Sequence, residues 1–291
     1  MSWRIVVISS RAKLDFQMNY LVIRKDSTVR IHLSEISTLI IESTAVSVTA
    51  YLLSELVKRK IKVIFCDEKR NPGSELLAYY GSHDTSMKVR KQISWKPGVC
   101  NLVWTEIISE KIRNQRDFLE ELDKTKEAEL LDQYIREIAP GDETNREGHA
   151  AKVYFNALFG MDFTRTAENN TNAALNYGYT ILLSAFNREI TSSGYITQIG
   201  IFHDNMFNQF NLGSDLMEPF RPLVDQVVYH MDLTEFDQDA KLQLVDILNT
   251  KVEMDGRIHH LNNAIRIYCR SVFDALNEED ISLIRFYKNE L

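Results

Sequence analysis

Gly200–Asp225 reads GIFHDNMFNQFNLGSDLMEPFRPLVD, and the rest of the chain takes its meaning from it. Short apolar runs surround one histidine, His203, with Asp204 and Asn205 directly behind it. Gly213-Ser214 then predicts a helix cap, and Asp215 and Glu218 fall three apart on one helical face. Their neighbours Leu216, Met217, Phe220 and Leu223 are apolar. A carboxylate desolvated among such neighbours is costly unless a cation or a donor meets it. A metal ion would satisfy two acids and a histidine at once. A lone histidine beside apolar residues is more often structural, so the metal reading rests on the company His203 keeps. Pro219 and Pro222 distort the helix. Arg221 and Asp225 read as a plain salt bridge or as a brace behind the acids.

Working back, Asn169–Ser193 is one long helical pattern closed by Gly194. Its small residues Ala173, Ala174, Gly178 and Ala185 predict close packing, and Asn172 and Asn176 predict buried hydrogen bonds. It reads as the central core helix, with no ligand on it. Before it, Pro140-Gly141 ends a helix, Asp142-Glu143-Thr144 can cap the next, and NREGHAAKVYFNALFG runs to Gly160. Glu147 lies along the stripe of Ala150, Ala151, Tyr154, Phe155 and Leu158, which suits either a ligand or an ordinary first-turn glutamate. Residues 99–138 carry a helical pattern long enough for two helices. Its Lys111, Arg113 and Arg116 read as a solvated face or as contacts to a polyanion. Downstream, helices are expected over Asp239–Leu248, Arg257–Leu276 and Ile281–Phe286, with a short strand at Lys251–Met254 before the Asp255-Gly256 turn.

The first part of the chain has a different period. Arg4–Ile8, Lys13–Phe16, Tyr20–Arg24, Thr28–His32, Thr38–Glu42 and Ile61–Cys66 read as strands. A helix over Ser47–Lys60 interrupts them, and Asn71-Pro72-Gly73 turns the chain. The expected class is therefore α+β: a small β-rich domain over 1–77, a linker over 78–85 (AYYGSHDT), and a larger all-α domain over 86–291.

Composition narrows the setting. Hydrophobic residues make up 44% and charged residues 26%, ordinary for a soluble protein. With no long apolar run and no signal-peptide pattern, a cytoplasmic protein without a membrane partner is expected. The three cysteines, Cys66, Cys100 and Cys269, form no CxxC and suit a reducing compartment. A net charge of −7 argues against a simple nucleic-acid binder unless Lys and Arg gather on one face.

Four segments in order are familiar: NREGHAAKVYF, NAALNYGY, GIFH and SDLMEPFRPLVD. Together they resemble the metal-dependent integrase subunit of the CRISPR adaptation machinery, the first-numbered of the CRISPR-associated proteins, in the short form that accompanies single-protein (type II) effectors. The resemblance implies that Glu147, His203 and Glu218 are metal ligands and that Asp215 is an additional acid at the site. It implies a DNA integrase and nuclease that inserts short foreign-derived segments into a repeat array. It also implies a homodimer, formed through the β-rich domain, that joins a small ferredoxin-like partner subunit in a heterohexamer. Double-stranded DNA, as donor segment and repeat array, would be the substrate, and an effector nuclease is a further candidate partner.

Two carboxylates and an imidazole without a thiolate suit Mg²⁺ or Mn²⁺ better than structural zinc. The chemistry expected is attack of a 3′-OH on a phosphodiester, or hydrolysis when water attacks. Asp215 is a candidate proton acceptor. Arg146, Lys152, Arg165 and Arg188 are candidate DNA contacts, and Asn205, Arg221 and Asp225 are candidate supports behind the ligands. A nuclease without integration, a silent scaffold in a DNA complex and a small-molecule metal hydrolase are the competing readings.

Overall fold

The computed structural model describes residues 4–78 and 82–289. The chain divides into two compact units between Thr85 and Ser86, with Thr191–Gly194 grouped with the first. Of the linker segment 78–85, residues 79–81 lie outside the described part.

In the first unit, strands β1 (Arg4–Ile8), β2 (Ala12–Gln17), β3 (Tyr20–Arg24), β4 (Thr28–His32), β5 (Ile36–Ile41) and β6 (Val46–Val48) precede helix α1 (Ala50–Lys58). Strands β7 (Lys62–Cys66) and β8 (Pro72–Glu75) follow it. They form two four-stranded sheets, ordered β1-β5-β7-β8 and β4-β3-β2-β6. Strands β1, β5 and β7 are parallel, and β5 is buried along its whole length, so it reads as a continuous apolar run rather than an alternation. In the β2-β3-β4 meander β2 starts with an alternation, but β3 is buried over Leu21–Ile23 in succession and β4 is mostly exposed, so the alternation expected of those two strands is not what the fold shows. One apolar cluster, including Ile8, Leu14, Leu21, Leu39, Leu52, Leu56 and Val63, draws on both sheets and on α1. Thr49 caps α1 by accepting the Leu52 N–H at 3.3 Å.

The second unit holds helices α2 (Thr85–Ile93), α3 (Pro97–Glu121), α4 (Thr125–Glu137), α5 (Arg146–Phe159), α6 (Asn170–Ser192), α7 (Asn211–Leu216), α8 (Arg221–Tyr229), α9 (Gln238–Asp246) and α10 (Leu261–Glu278). The 25-residue α3 touches α4, α5, α7, α8 and α10. Its buried face carries Val103, Trp104, Ile107, Ile108, Ile112, Phe118 and Leu119. Among the described residues, no helix is long and apolar enough to cross a membrane.

Three local readings change. Residues 257–260 form strand β10 (Arg257–His260), not the start of a helix, because Asp255 (φ 54°) and Gly256 (φ 70°) make a two-residue hairpin back onto β9 (Lys251–Met254). With β11 (Lys288–Asn289) this adds a three-stranded sheet to the helical unit. Residues 281–286 shrink to one 3-10 turn, Ile281–Leu283, whose Ser282 N–H is held by Asp280. Helix α7 starts at Asn211, so Gly213 sits inside it and caps nothing. A Cβ at Gly213 would collide with Asn187 Oδ1, which makes close approach to α6 the reason for the glycine.

Candidate active site

The site lies within the second unit and is assembled from α3, α5, α6, α8 and the segment 200–220. Asn145, in the left-handed region, caps α5 by accepting the Gly148 N–H. Asp142 reaches past it to accept the Arg146 and Glu147 N–H groups at 2.7 and 3.0 Å. These caps fix the first turn of α5 and hence the direction of Glu147.

Prolines shape the second acid's position. Glu218 opens a 3-10 turn, Glu218–Phe220, that separates α7 from α8. Pro219 has no N–H to continue α7, and Pro222 falls in the first turn of α8, where no donor is missed. The Glu218 side chain is buried. Its partners are cations: Lys111 Nζ donates to Oε2 at 2.5 Å and Arg221 Nε to Oε1 at 2.8 Å. The same Lys111 ammonium donates to Glu147 Oε1 at 2.6 Å. Burial pushes the Glu218 carboxyl up, but Arg221 and Lys111 outweigh it and hold it below its ordinary value. Burial likewise pulls the Lys111 ammonium down, and Glu218 and Glu147 reverse that.

His203 and Asp215 form a separate pair. Asp215 is fully buried and accepts the backbone N–H groups of Ile201, Phe202 and His203 at 2.5, 3.1 and 3.1 Å. Its Oδ1 also meets His203 Nδ1 at 2.5 Å. This hydrogen bond raises the His203 pKa against the opposing effect of partial burial. Phe202 stacks on buried Trp104 with ring centroids 4.4 Å apart, and Trp104 meets the His203 ring edge-on at 5.6 Å. The loop is thus held from its backbone and from its side chains.

Of the expected supports, Arg221 turns to Glu218 and Asp225 accepts the Tyr179 hydroxyl, rather than pairing with each other. Burial pushes the Asp225 carboxyl up to about 6, against the lowering by Tyr179 and the nearby cations. Asn205 closes the loop through its carbonyl, which accepts from Asn211 Nδ2, and its side chain, which accepts the Phe207 N–H. Of the basic candidates, Arg165 lines a cleft of about 200 Å³ together with Lys111, Gln115, Glu147, Phe155, Tyr179, Glu218, Arg221 and Asp225. It is fixed by Asn172 and Asn176 and by the Tyr179 ring face. Arg146 pairs with Glu137 over the Tyr134 ring, Lys152 is exposed on α5, and Arg188 pairs with Glu189 on α6.

Among the described residues no three carboxylate, imidazole or thiolate groups converge as a ligand set. What converges is a pair, Glu147 and Glu218, on one positive centre supplied by Lys111. That donor chemistry fits a divalent cation: two carboxylates already share a cation, and with Nδ1 bonded to Asp215 a ligating role for His203 would fall to Nε2.

The family model described as CRISPR associated protein Cas1 matches residues 5–235. The chain belongs to this family. It is 36% identical over 232 residues to the CRISPR-associated endonuclease Cas1 of Neisseria meningitidis serogroup C (strain 8013), covering 79% of this chain and 76% of that one. It is 28% identical over 237 residues to CRISPR-associated endonuclease Cas1 1 of Francisella tularensis subsp. novicida (strain U112), covering 74% of each. Among solved structures the fold is similar to a casposase bound to integration product, at TM-score 0.74 and 19% identity, over 96% of this chain and 91% of that one. It is also similar to a CAS1 protein from Thermotoga maritima, at TM-score 0.73 and 18% identity, over 94% and 97% of the two chains.

Two residues of this site escape a reading from sequence. Lys111 reads as a surface charge, yet it continues the buried stripe of Trp104, Ile107, Ile108, Gln115 and Phe118. Like Glu147, it is a charge on an apolar stripe, and that pattern is the signal the sequence holds for it. Tyr179 sits on α6, which offers no acid or imidazole facing the site, and nothing in the sequence links it to Asp225.

Proposed function

We propose that this protein is a divalent-metal-dependent DNA integrase that inserts short DNA segments into a CRISPR repeat array. In the reaction, a donor 3′-hydroxyl oxygen bonds to phosphorus of the target strand, the existing P–O bond breaks, and the leaving oxygen takes up a proton. The observation that carries this reading is that Glu147 and Glu218 share one cation while His203 is braced by Asp215 in the same unit. Family membership supports it.

Glu147, Glu218 and His203 Nε2 would hold Mg²⁺ or Mn²⁺. When bound, such an ion polarises the scissile phosphoryl oxygen and favours deprotonation of the attacking hydroxyl. The remaining work belongs to the chain. Asp215 keeps the proton on His203 Nδ1 so that Nε2 presents its lone pair. Its oxygens are already engaged by the donors of residues 201–203, so its role is positioning His203 rather than accepting the substrate's proton. Arg165 and Arg221 line the cleft beside the acids and supply positive charge for a strand's phosphates. Exposed Lys152 extends that charge along α5, which answers the net charge of −7 locally.

With water in place of the hydroxyl the same groups would nick DNA. A homodimer bound to a small ferredoxin-like partner subunit in a heterohexamer, with double-stranded donor and repeat DNA, is the assembly this function calls for, and an effector nuclease would act upstream in choosing the DNA. The test is strand transfer of a short duplex with free 3′-OH ends into a supercoiled repeat plasmid, with the partner subunit and Mn²⁺ or Mg²⁺. Joined product from the wild type and none from folded His203→Ala is expected. Nicking without joining would favour the plain nuclease, and joining by His203→Ala would remove His203 from the site.

A further inference from the structure

We infer that Lys111 is an exchangeable internal cation: its ammonium holds the Glu147–Glu218 pair in the metal-free protein and leaves that position when a divalent ion binds. This rests on the metal-dependent reading above. One ammonium donates to Oε1 of Glu147 at 2.6 Å and to Oε2 of Glu218 at 2.5 Å, so it uses the oxygens a metal would need. A divalent ion shared by the same two carboxylates, with metal–oxygen bonds of about 2.0–2.2 Å, would take the position the ammonium now holds, and two positive centres that close repel strongly. The ammonium and the divalent ion therefore compete for the one position between the two carboxylates, whereas Arg221 sits on the other oxygen of Glu218.

Two features make the exchange feasible. Lysine carries its charge on a flexible four-carbon stem, whereas α3 itself is packed on several sides and stays in place. The cleft that Lys111 lines also holds Asp225, a third acid to receive the ammonium once it leaves the pair. Arg221 stays on Glu218 Oε1 in both states and keeps that carboxylate oriented. Lys111 is thus a positioning residue: it keeps buried Glu218 and half-buried Glu147 together and ordered before the metal arrives.

Mn²⁺ binding measured by the loss of the free-ion paramagnetic resonance signal, on the full chain near neutral pH, tests this. Lys111→Met is expected to bind Mn²⁺ about tenfold more tightly than wild type, because no internal cation has to be displaced. Its metal-free melting temperature should fall and its rise on adding Mg²⁺ should exceed that of wild type. Lys111→Arg, which keeps the charge, should bind no more tightly than wild type. Should Lys111→Met fail to fold, the wild type itself carries the test. A protected Lys111 side-chain ammonium resonance in the metal-free protein should be lost or shifted on saturation with diamagnetic Mg²⁺. Unchanged or weaker Mn²⁺ binding by folded Lys111→Met overturns the inference, as does an ammonium resonance indifferent to Mg²⁺. If wild type binds no Mn²⁺, or Glu147→Gln binds as well as wild type, the metal-dependent reading fails and this inference with it. Those outcomes differ from a site that binds metal but ignores Lys111.

Discussion

Asp215 and Glu218 are both buried carboxylates in one short segment, yet they are satisfied in opposite ways. Asp215 accepts three backbone N–H groups and one imidazole. Glu218 accepts from two side-chain cations. Backbone donors are part of the loop's own folding and leave only if the loop unfolds. Side-chain cations are separate groups that another cation can replace. The difference assigns the two acids different work: Asp215 holds the 200–215 loop and aims His203, while Glu218 keeps a charge ready for exchange.

The largest effect that would break this comparison is on stability. Asp215→Ala leaves several buried donors unmet and should cost about 3–5 kcal/mol, read by chemical denaturation without metal. Glu218→Gln should cost less, because Lys111 retains Glu147. Equal losses would erase the distinction between the two acids. Next in size is catalysis. His203→Ala should lower strand transfer by about a hundredfold or more, equivalent to about 3 kcal/mol, with circular dichroism unchanged. Its pH dependence has a definite sign. Asp215 raises the folded-state His203 pKa, so this pair stabilises the metal-free fold fully below the ordinary histidine value and stops doing so as pH rises through the raised one. Ligation needs the neutral ring, so activity should fall on the acid side at a pH above that of an ordinary histidine.

How much of this the sequence discloses depends on where each interaction is encoded. A period-2 run announces β2, a short apolar run announces β3, and the Pro140-Gly141 and Gly160 punctuation brackets α5, because those signals are local. The order of strands in the two sheets is not local and has no such signal. At Arg257–His260 the sequence supports helical spacing, and a two-residue left-handed turn overrides it. Glu147, His203, Asp215 and Glu218 stand out as charges among apolar neighbours. That Lys111 joins Glu147 to Glu218, and that Arg221 and Asp225 look to different partners, follows only from how α3, α5, α6 and α8 pack.

The cleft sharpens the comparison further. Burial pushes the Asp225 carboxyl up to about 6, so its contribution to stability is greatest at low pH and lost as pH rises through about 6. Asp225→Asn should therefore raise metal-free stability on the order of 2 kcal/mol at pH 8 and by little at pH 4, measured by denaturant midpoints at both. The smallest effect is expected at the surface. Lys152→Ala should change stability by less than about 0.5 kcal/mol and reduce the salt dependence of DNA binding by about one phosphate contact. A full-size loss of DNA affinity there would move the main DNA contact from the cleft to α5.

The Trp104–Phe202 stack has one more consequence. Trp104 is buried, and its ring meets the edge of His203 at 5.6 Å. Protonated imidazole quenches indole emission where the neutral ring does so far less, and a bound ion at Nε2 would keep that ring unprotonated. Trp104 would therefore serve as an optical gauge of the histidine's state without any label being attached, read against the emission of the chain's other two tryptophans.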